Sequence, residues 1–255
     1  MIYNPYFESI GVDAVVVPIG VKADDFESAL RAIFTFTNIR GALITMPHKV
    51  ISCTLVDELS PTAQIAGACN AILLRPDGSL LGDMFDGAGF VRGVLRKSVR
   101  LDGARVLVVG CGGVGCAIAA SLAAVGVAAI GLFDINGASS EGLASRLRTH
   151  YAALKVTTGC NDPAGYDVVV NATPMGMNEG DELPMDVTRI APTTFVGEVV
   201  MKNEMTAFLA AAKARGCPVQ IGTDMLFEQI PAYLEFFGFP TTTPEVLRSV
   251  ARLTY

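Results

Sequence analysis

The sequence has few charged residues and no run in which lysine and arginine cluster. Charged side chains make up 17% of its 255 residues, and the formal net charge is −6. Nucleic acids and anionic membrane surfaces are bound through basic patches, so neither is an expected partner. With 51% hydrophobic residues the chain can bury a sizeable core, and it is not predicted to be disordered.

Histidine and cysteine are too scattered to suggest a metal site. The sequence has two histidines, and its six cysteines form no C-x-x-C pair. Zinc sites use such ligands at short spacings, so we predict no metal. Free thiols, and first residues with no basic flank or apolar block, predict a cytoplasmic protein.

One segment without charge, residues 106–133, is long enough to cross a bilayer. However, four glycines interrupt it directly after a β-branched run. A strand, a turn, a helix and a second strand that are buried on both faces produce the same pattern. We therefore predict this buried unit and not a membrane span.

Strand and helix patterns predict an α/β protein of two lobes. The first part contains strand patterns at 13–21 and 41–47, a helix pattern at 24–36, and a hairpin pattern at 71–82 with an Asp-Gly turn. From residue 105 strands and helices alternate, as in a doubly wound parallel sheet. The strands are expected at 105–109, 128–134, 167–172 and 193–200, and the helices at 115–125, 139–151 and 204–216.

These patterns divide the chain into three regions. We predict a substrate-binding and catalytic α/β lobe over residues 1–95 and a Rossmann-type NAD(P)-binding domain over 96–222. Two further helix patterns, at 223–238 and 243–253, fill the region 223–255 and are expected to pack back on the first lobe.

A glycine-rich turn in the second region predicts a dinucleotide site. Gly110, Gly112 and Gly115 stand in G-x-G-x-x-G register between a strand and a helix, with Gly113 and Val114 inside the motif. The glycines allow a tight turn, close approach of the backbone to a pyrophosphate, and close packing of helix on strand. The helix N-terminus then offers its free N–H groups to the phosphates.

Asp134 favours NAD over NADP. It ends the next strand, 22 residues after Gly112, where a carboxylate can accept hydrogen bonds from the ribose hydroxyls and repel a 2′-phosphate. No arginine follows it directly, since the next residues are Ile135 and Asn136. NADP stays possible, and Asp134 could instead cap the following helix.

Taken together, the motifs of this chain resemble those of the shikimate/quinate dehydrogenase family. The resemblance runs over essentially the whole chain. It rests on TMPHK (45–49), AGACNA (66–71), GDMFDG (82–87), GCGGVG (110–115), NATPMGM (171–177), EVVMKNEMT (198–206) and GTDMLFEQ (222–229), in this order.

The resemblance implies a catalytic pair and a set of binding residues. The catalytic lysine and aspartate of the family correspond to Lys49 and Asp86. Substrate hydroxyls would be bound by Thr45, Asn70 and Gln229, and the nicotinamide half of the cofactor would lie by Asn171, Thr173 and Met177. Each of these has a plainer interpretation, such as a solvated lysine, an aspartate that caps a turn, or methionines that pack a loop.

The chemistry of the residues agrees with this assignment. Oxidation of a secondary alcohol needs a base for the hydroxyl proton while hydride leaves for NAD(P), and the reverse reaction needs an acid. A lysine in a dry cleft beside a carboxylate can serve both directions. We therefore predict an oxidoreductase acting on a ring hydroxyl or ketone of a shikimate- or quinate-like cyclic hydroxy acid.

Departures from the family pattern cluster on the substrate side. Asn and Thr of the Gly-Asp-x-x-Asp-Gly turn are replaced by Met84 and Phe85, which either form an apolar pocket wall or pack into the lobe. The other departures are Leu43, Ala71, Glu198, Met201 and the pair Tyr3-Asn4. Each lost polar group leaves a substrate hydroxyl unpaired at ~1–3 kcal/mol, so an altered substrate is expected.

The family's first strand and its Ser-x-Ser carboxylate clamp would lie before residue 1. An uncovered sheet edge is normally avoided, so we expect a short preceding piece; the alternative is that the clamp is dispensed with.

Two other functions compete with the enzyme. The altered substrate side motivates a non-catalytic homologue that binds NAD and a metabolite for regulation, although such a protein has no chemical need for Lys49 and Asp86. A two-lobed dehydrogenase acting on folate-type substrates fits the order of motifs poorly. A monomer and a homodimer are equally compatible with the sequence.

Overall fold

The computed structural model describes residues 2–252 and contains two β-sheets with helices packed around them. The first sheet has the order β1-β3-β4-β2, with β1 and β3 antiparallel, β3 and β4 antiparallel, and β2 and β4 parallel. Its strands are β1 (Gly41–Leu43), β2 (Glu58–Leu59), β3 (Ala71–Leu74) and β4 (Leu80–Asp83). The helices of this lobe are α1 (Tyr3–Ile10), α2 (Phe26–Ile33), α3 (Pro61–Ala66) and α4 (Asp86–Arg96).

The predicted hairpin is confirmed. Strands β3 and β4 pair in register from Ala71 opposite Asp83 to Leu74 opposite Leu80. Gly78 turns the chain with φ of 87°, a left-handed conformation that glycine adopts without strain.

The strand predicted over 13–21 is not formed. Exposure alternates along 12–17, as in extended backbone, but no strand within residues 2–252 pairs with this segment. The side-chain amide of Asn4 instead brackets Val16, accepting from its N–H at 2.7 Å and donating to its carbonyl at 3.1 Å. As a result Val15, Val17 and Ile19 are exposed at 67%, 63% and 63%. The β-branched pattern therefore correctly indicates extended backbone, but it does not indicate pairing with a neighbouring strand.

The second sheet has six parallel strands in the order β10-β9-β8-β5-β6-β7, which confirms the doubly wound prediction. These are β5 (Arg105–Val109), β6 (Ala129–Phe133), β7 (Lys155–Thr158), β8 (Val168–Asn171), β9 (Phe195–Glu198) and β10 (Val219–Gln220). The helices are α5 (Gly113–Ala124), α6 (Gly137–His150) and α7 (Ala207–Ala214).

The uncharged segment 106–133 is the buried strand, helix and strand β5-α5-β6, as predicted. Among residues 2–252, the structure holds no helix with the length and apolar character that a membrane span requires. Two edge strands, β7 and β10, were not predicted, because one alternates weakly and the other has two residues.

The last two helices, α8 (Gly222–Phe236) and α9 (Pro244–Val250), pack against α1. Their shared core contains Phe7, Ile230 and Leu247. The helix predicted over 243–253 is observed as α9, and its last predicted residue lies outside the described residues, as do residues 1, 254 and 255 of the predicted regions.

Helix α4 joins the two lobes through glycines. A Cβ atom on Gly87 would overlap the carbonyl of Ala117 in α5, and one on Gly89 would come within 2.5 Å of the Met225 carbonyl in α8. Backbone therefore meets backbone on both sides of α4. Because Asp86 is the first residue of α4, the packing fixes its carboxylate beside the helix that follows the glycine-rich turn.

Candidate active site

Lys49 and Asp86 form an ion pair in a largely buried position. Lys49 Nζ lies 2.7 Å from Asp86 Oδ2, and the side chains are 21% and 6% exposed. The second carboxylate oxygen, Oδ1, accepts a hydrogen bond of 2.7 Å from the Asn70 amide. A charge pair removed from water survives only when its remaining lone pairs are satisfied, and Asn70 supplies that partner.

Asn70 holds together the three segments that carry the pair. Its Oδ1 accepts from the Phe85 N–H at 2.9 Å, its N–H donates to the Asp83 carbonyl at 2.9 Å, and its carbonyl accepts from the Ile44 N–H at 2.8 Å. Segments after β1, before β3 and before α4 therefore meet at one residue, through its side chain and its backbone. The plainer interpretation, a left-handed turn residue, does not apply, since Asn70 is not among the positive-φ residues of 2–252.

The other acid of the GDMFDG turn, Asp83, caps backbone. Its Oδ1 accepts from the Met84 N–H at 2.7 Å and from the Ser60 hydroxyl. Burial raises the pKa of the Asp83 carboxyl, and these two hydrogen bonds oppose the rise. The two acids are thus divided, one holding the turn and the other facing Lys49.

Met84 does not line a pocket. It is 1% exposed and belongs to the main hydrophobic core, so the interpretation of both turn residues as an apolar pocket wall is wrong for this one. Burial alternates from the end of β4 onward, with Gly82 and Met84 buried and Asp83 and Phe85 half-buried.

Phe85 does lie on the side of the catalytic pair, against aromatic residues of α8. Its ring centroid is 5.1 Å from that of Tyr233 and 5.1 Å from that of Phe236. Burial raises the pKa of Tyr233 far above its usual value, the charges of Asp86 and Tyr3 raise it further, and a hydrogen bond with Asn70 opposes this. The Tyr233 ring therefore lies beside Phe85, the residue that precedes Asp86 at the start of α4.

Sequence reasoning missed Tyr233, although one signal was present. It follows Gln229 by four residues on α8, so the two side chains share a helix face. Gln229 packs against α4 at Gly89, and its Oε1 is buried without a hydrogen-bond partner among the described residues. An orphan acceptor of this kind is what a substrate hydroxyl would satisfy.

Thr45 is placed less decisively. It lies in the exposed segment between β1 and Lys49, where its carbonyl accepts from the His48 N–H at 3.0 Å. Its neighbour His48 is structural, since the ring stacks on Phe26 with centroids 4.0 Å apart and Nε2 lies 3.1 Å from the Val21 carbonyl.

The glycine-rich turn has the geometry that a dinucleotide needs. Gly110 has φ of 99°, and a Cβ on Gly115 would overlap the Gly110 carbonyl. Gly112 and Gly113 face open space, with no atom within 4 Å of an added Cβ, and half-buried Val114 follows them in the first turn of α5. Gly112 caps α5 without a side-chain hydrogen bond, which leaves the helix N–H groups free for phosphate oxygens.

Asp134 accepts two backbone hydrogen bonds at the end of β6. Its Oδ2 accepts from the Cys111 N–H at 2.7 Å, and its Oδ1 accepts from the Asn136 N–H at 2.8 Å. The alternative that Asp134 caps α6 is wrong, because Asn136 is the cap and accepts from the Ala138 N–H. Asp134 thus ties strand β6 to the glycine-rich turn.

The NATPMGM loop is fastened by its own side chains. Asn171 Oδ1 accepts from the hydroxyl and N–H of Thr173 at 2.6 and 3.1 Å, and its amide donates to the Met175 carbonyl at 3.0 Å. Asn171 is fully buried, so it shapes the loop, while Met177 is exposed at the surface.

Beside this loop, Glu198 is buried at the end of β9. Its Oε2 accepts from the Thr206 hydroxyl at 2.8 Å, and its Oε1 has no hydrogen-bond partner among the described residues. Burial raises the Glu198 pKa to about 7, and hydrogen bonds of Thr206 and Asn171 oppose the rise. Met201, three residues on, is exposed.

Two family models and several named proteins match the chain. The family model of the shikimate dehydrogenase substrate binding domain matches residues 1–72, and that of the ThiF family matches residues 93–143. The shikimate dehydrogenase (NADP(+)) of Rubrobacter xylanophilus is 34% identical over 231 residues, covering 89% of this chain and 81% of that protein. The chain belongs to the shikimate/quinate dehydrogenase family.

Solved structures agree with this assignment over nearly the whole chain. Shikimate 5-dehydrogenase from Listeria monocytogenes, in complex with shikimate and NAD, is 25% identical, with a TM-score of 0.91 over 98% of this chain and 90% of that one. The 5-ketofructose reductase of Gluconobacter sp. strain CHM43 is 27% identical, with a TM-score of 0.87 over 97% and 90%. The predicted family, two-lobed α/β fold and class of NAD(P)-dependent dehydrogenase are therefore confirmed.

Proposed function

We propose that the protein interconverts a ring hydroxyl and a ketone of a shikimate- or quinate-like cyclic hydroxy acid, with Lys49 and Asp86 as its proton-transfer pair. One observation carries the proposal: Lys49 Nζ lies 2.7 Å from Asp86, whose second oxygen is held by Asn70. When bound at the glycine-rich turn, NAD(P) supplies the acceptor or donor of hydride.

The residues divide the remaining work. During oxidation the neutral amine of Lys49 takes the hydroxyl proton and becomes an ammonium, and during reduction the ammonium returns a proton to the carbonyl oxygen. Asp86 orients the ammonium, while Asn70 fixes the carboxylate. Gln229 offers its buried, unpartnered oxygen to a substrate hydroxyl. The close packing of Gly87 on Ala117 supports these roles, because it holds the start of α4, where Asp86 lies, against α5.

The alternative of a non-catalytic regulatory homologue is less well supported by these contacts. Burying a charged pair costs several kcal/mol per ion before attraction repays it, and apolar replacements are often at least as stable. A protein with no proton to transfer would gain nothing from Lys49 and Asp86. Their retention in a nearly buried network therefore favours catalysis.

A substrate panel tests the proposal. We expect purified protein to change NAD(P)H absorbance with shikimate, quinate or 5-ketofructose, the last because a relative is named for it. Turnover on the order of 1–10³ s⁻¹ with one compound would exclude the regulatory alternative. The absence of turnover with every compound and both nucleotides would overturn the proposal and favour that alternative.

For the cofactor we propose a preference for NAD. Relatives are named for NADP, whereas the ribose end of the site here has Asp134 followed by exposed Ile135. A carboxylate beside a 2′-phosphate is repulsive, and the two residues that follow Asp134, Ile135 and Asn136, carry no charge. The panel is therefore run with both nucleotides, and an equal or higher kcat/KM with NADP would refute the preference.

The double variant Asp134→Asn/Ile135→Arg sharpens this cofactor test. We expect it to move the NADP/NAD ratio of kcat/KM upward by about tenfold or more, since one repulsive charge is removed and one attractive charge is added. Gly137→Ala, which meets no atom within 4 Å at the start of α6, is the matched control.

A further inference from the structure

Tyr233 stands at the centre of an aromatic and aliphatic cluster beside the catalytic pair. It is 5% exposed and packs with Ala71 and Phe237. Partly buried residues surround this centre, and three of them, Tyr3, Leu43 and Phe85, occupy positions at which the sequence departs from the family pattern. With Ala71, four of the departures therefore meet around one side chain that the family motifs do not mention.

We propose that Tyr233 is the specificity-determining residue of this site, selecting ring substrates that have one apolar face and few hydroxyls. The inference rests on the proposed function and names its substrate class. The Tyr233 ring packs against Phe85, whose N–H donates to Asn70. The position of the ring is therefore tied to that of the hydrogen-bond network around the catalytic pair.

The position of Tyr233 on α8 gives it this role. Gln229, one turn earlier, packs where α8 meets Gly89 of α4, three residues after Asp86. Gln229 and Tyr233 thus face the beginning of α4 as a polar and an aromatic neighbour. A hydroxyl on the substrate finds an acceptor at Gln229 and none on the rings of Phe85 and Tyr233.

The cluster also sets a cost for highly hydroxylated substrates. A hydroxyl directed at half-buried Leu43 or at the Phe85 ring would lose water without gaining a partner. A bare ring face would instead bury apolar surface against the aromatic rings. The phenol hydroxyl of Tyr233 is a polar group of this cluster that can donate a hydrogen bond to a substrate oxygen.

Two variants separate the ring from its hydroxyl. Tyr233→Ala opens the wall, and Tyr233→Phe keeps the ring and removes the donor. Tyr151→Phe, after α6 and away from the site, is the matched control for loss of a phenol hydroxyl. Each is assayed with shikimate, which has three ring hydroxyls, and with a cyclohexane carboxylate bearing a single ring hydroxyl.

We expect wild-type protein to prefer the singly hydroxylated acid, and Tyr233→Ala to move the kcat/KM ratio toward shikimate by roughly tenfold or more. Tyr233→Phe is expected to raise KM for both acids roughly 3- to 10-fold, with kcat nearly unchanged. The reason is that it removes a hydrogen bond made equally in the bound ground state and in the transition state. NAD(P)H binding and the melting temperature of Tyr233→Phe should match the control.

A ratio that stays within about twofold of wild type in Tyr233→Ala would overturn the inference, as would a wild-type preference for shikimate. If wild-type protein turns over neither acid, calorimetric Kd values of the two acids with NAD present decide the inference alone. The proposed function fails in that case only if quinate and 5-ketofructose are not turned over either. An unchanged Kd ratio in folded Tyr233→Ala would overturn it, and a shift toward shikimate would support it.

Discussion

The two sides of the cleft are specified by different parts of the chain. On the nucleotide side the constraints lie in the backbone, where Gly115 has no room for a Cβ and the six strands pair in parallel. On the substrate side they lie largely in side chains, where the Asn70 amide bonds to Asp86 and to the Phe85 N–H, and Phe85 packs on Tyr233. Backbone constraints tolerate almost no change, whereas a wall of side chains can be rebuilt. The comparison explains how one site keeps its cofactor geometry while its substrate wall differs.

The largest effect is expected from the loss of Lys49, the residue to which we assign proton transfer. Lys49→Met should lower kcat by ~10²–10⁴-fold, because no group replaces the ammonium as acid or base. The dissociation constant of the dinucleotide should stay within about twofold, since binding and proton transfer reside on different sides of the cleft. Kinetics and fluorescence titration measure the two quantities.

Because Lys49→Met leaves the carboxylate of Asp86 buried and unpaired, its melting temperature should fall. The double variant Lys49→Met/Asp86→Asn should recover stability but not activity. Lys213→Met, on the exposed side of α7, is the control. Appreciable turnover by folded Lys49→Met would remove Lys49 from the mechanism.

Glycines of the nucleotide side should separate fold from binding. Gly115→Ala is expected to cost about 3 kcal/mol or more of unfolding free energy, because its Cβ would overlap the Gly110 carbonyl. Gly112→Ala should leave stability unchanged and weaken dinucleotide binding about tenfold, since its methyl group would occupy the space that we assign to the pyrophosphate. Equal loss of stability in both variants, in denaturant titrations, would contradict this separation.

The first lobe offers a similar test at Met84. Met84→Asn should lower the unfolding free energy by about 3 kcal/mol, because an amide without a partner would replace a thioether in the core. Met84→Leu, which conserves volume, should cost less than about 1.5 kcal/mol. Should Met84→Asn prove neutral in stability and improve shikimate turnover, Met84 would be a pocket residue after all.

The smallest expected effect comes from buried Glu198, which predicts that the unfolding free energy depends on pH within a limited range. Its carboxyl has a pKa of about 7 in the folded protein, above the usual 4.5 of a glutamate, so the protonated form is favoured by folding. Its contribution is complete below the lower value and is lost as pH rises to the higher one, about 3 kcal/mol in total. Glu198→Gln should flatten the stability profile between these values, and an unchanged profile would exclude burial of Glu198 as its cause.

How far the sequence predicted the molecule differs between the two sides. The glycine-rich turn and parallel sheet were predictable because spacing and strand–helix alternation act locally. The absence of a strand over 13–21 was not predictable, because a strand needs a partner strand, and none of the described residues supplies one. The direction of Met84 depends on which face of a short turn meets the core, and Tyr233 enters the site from a helix 147 residues beyond Asp86 along the chain. Such long-range contacts leave no mark in local spacing.

The glycines of α4 also govern how this protein can be redesigned. With backbone against backbone at α5 on one side and α8 on the other, the helix cannot rotate or slide without collision. The position of the reacting centre is therefore fixed, since Asp86 keeps its place when side chains on α8 are exchanged. Variants at Tyr233 and Phe85 can then be screened for new substrates in combination, with little risk that a gain in specificity is cancelled by a displaced carboxylate.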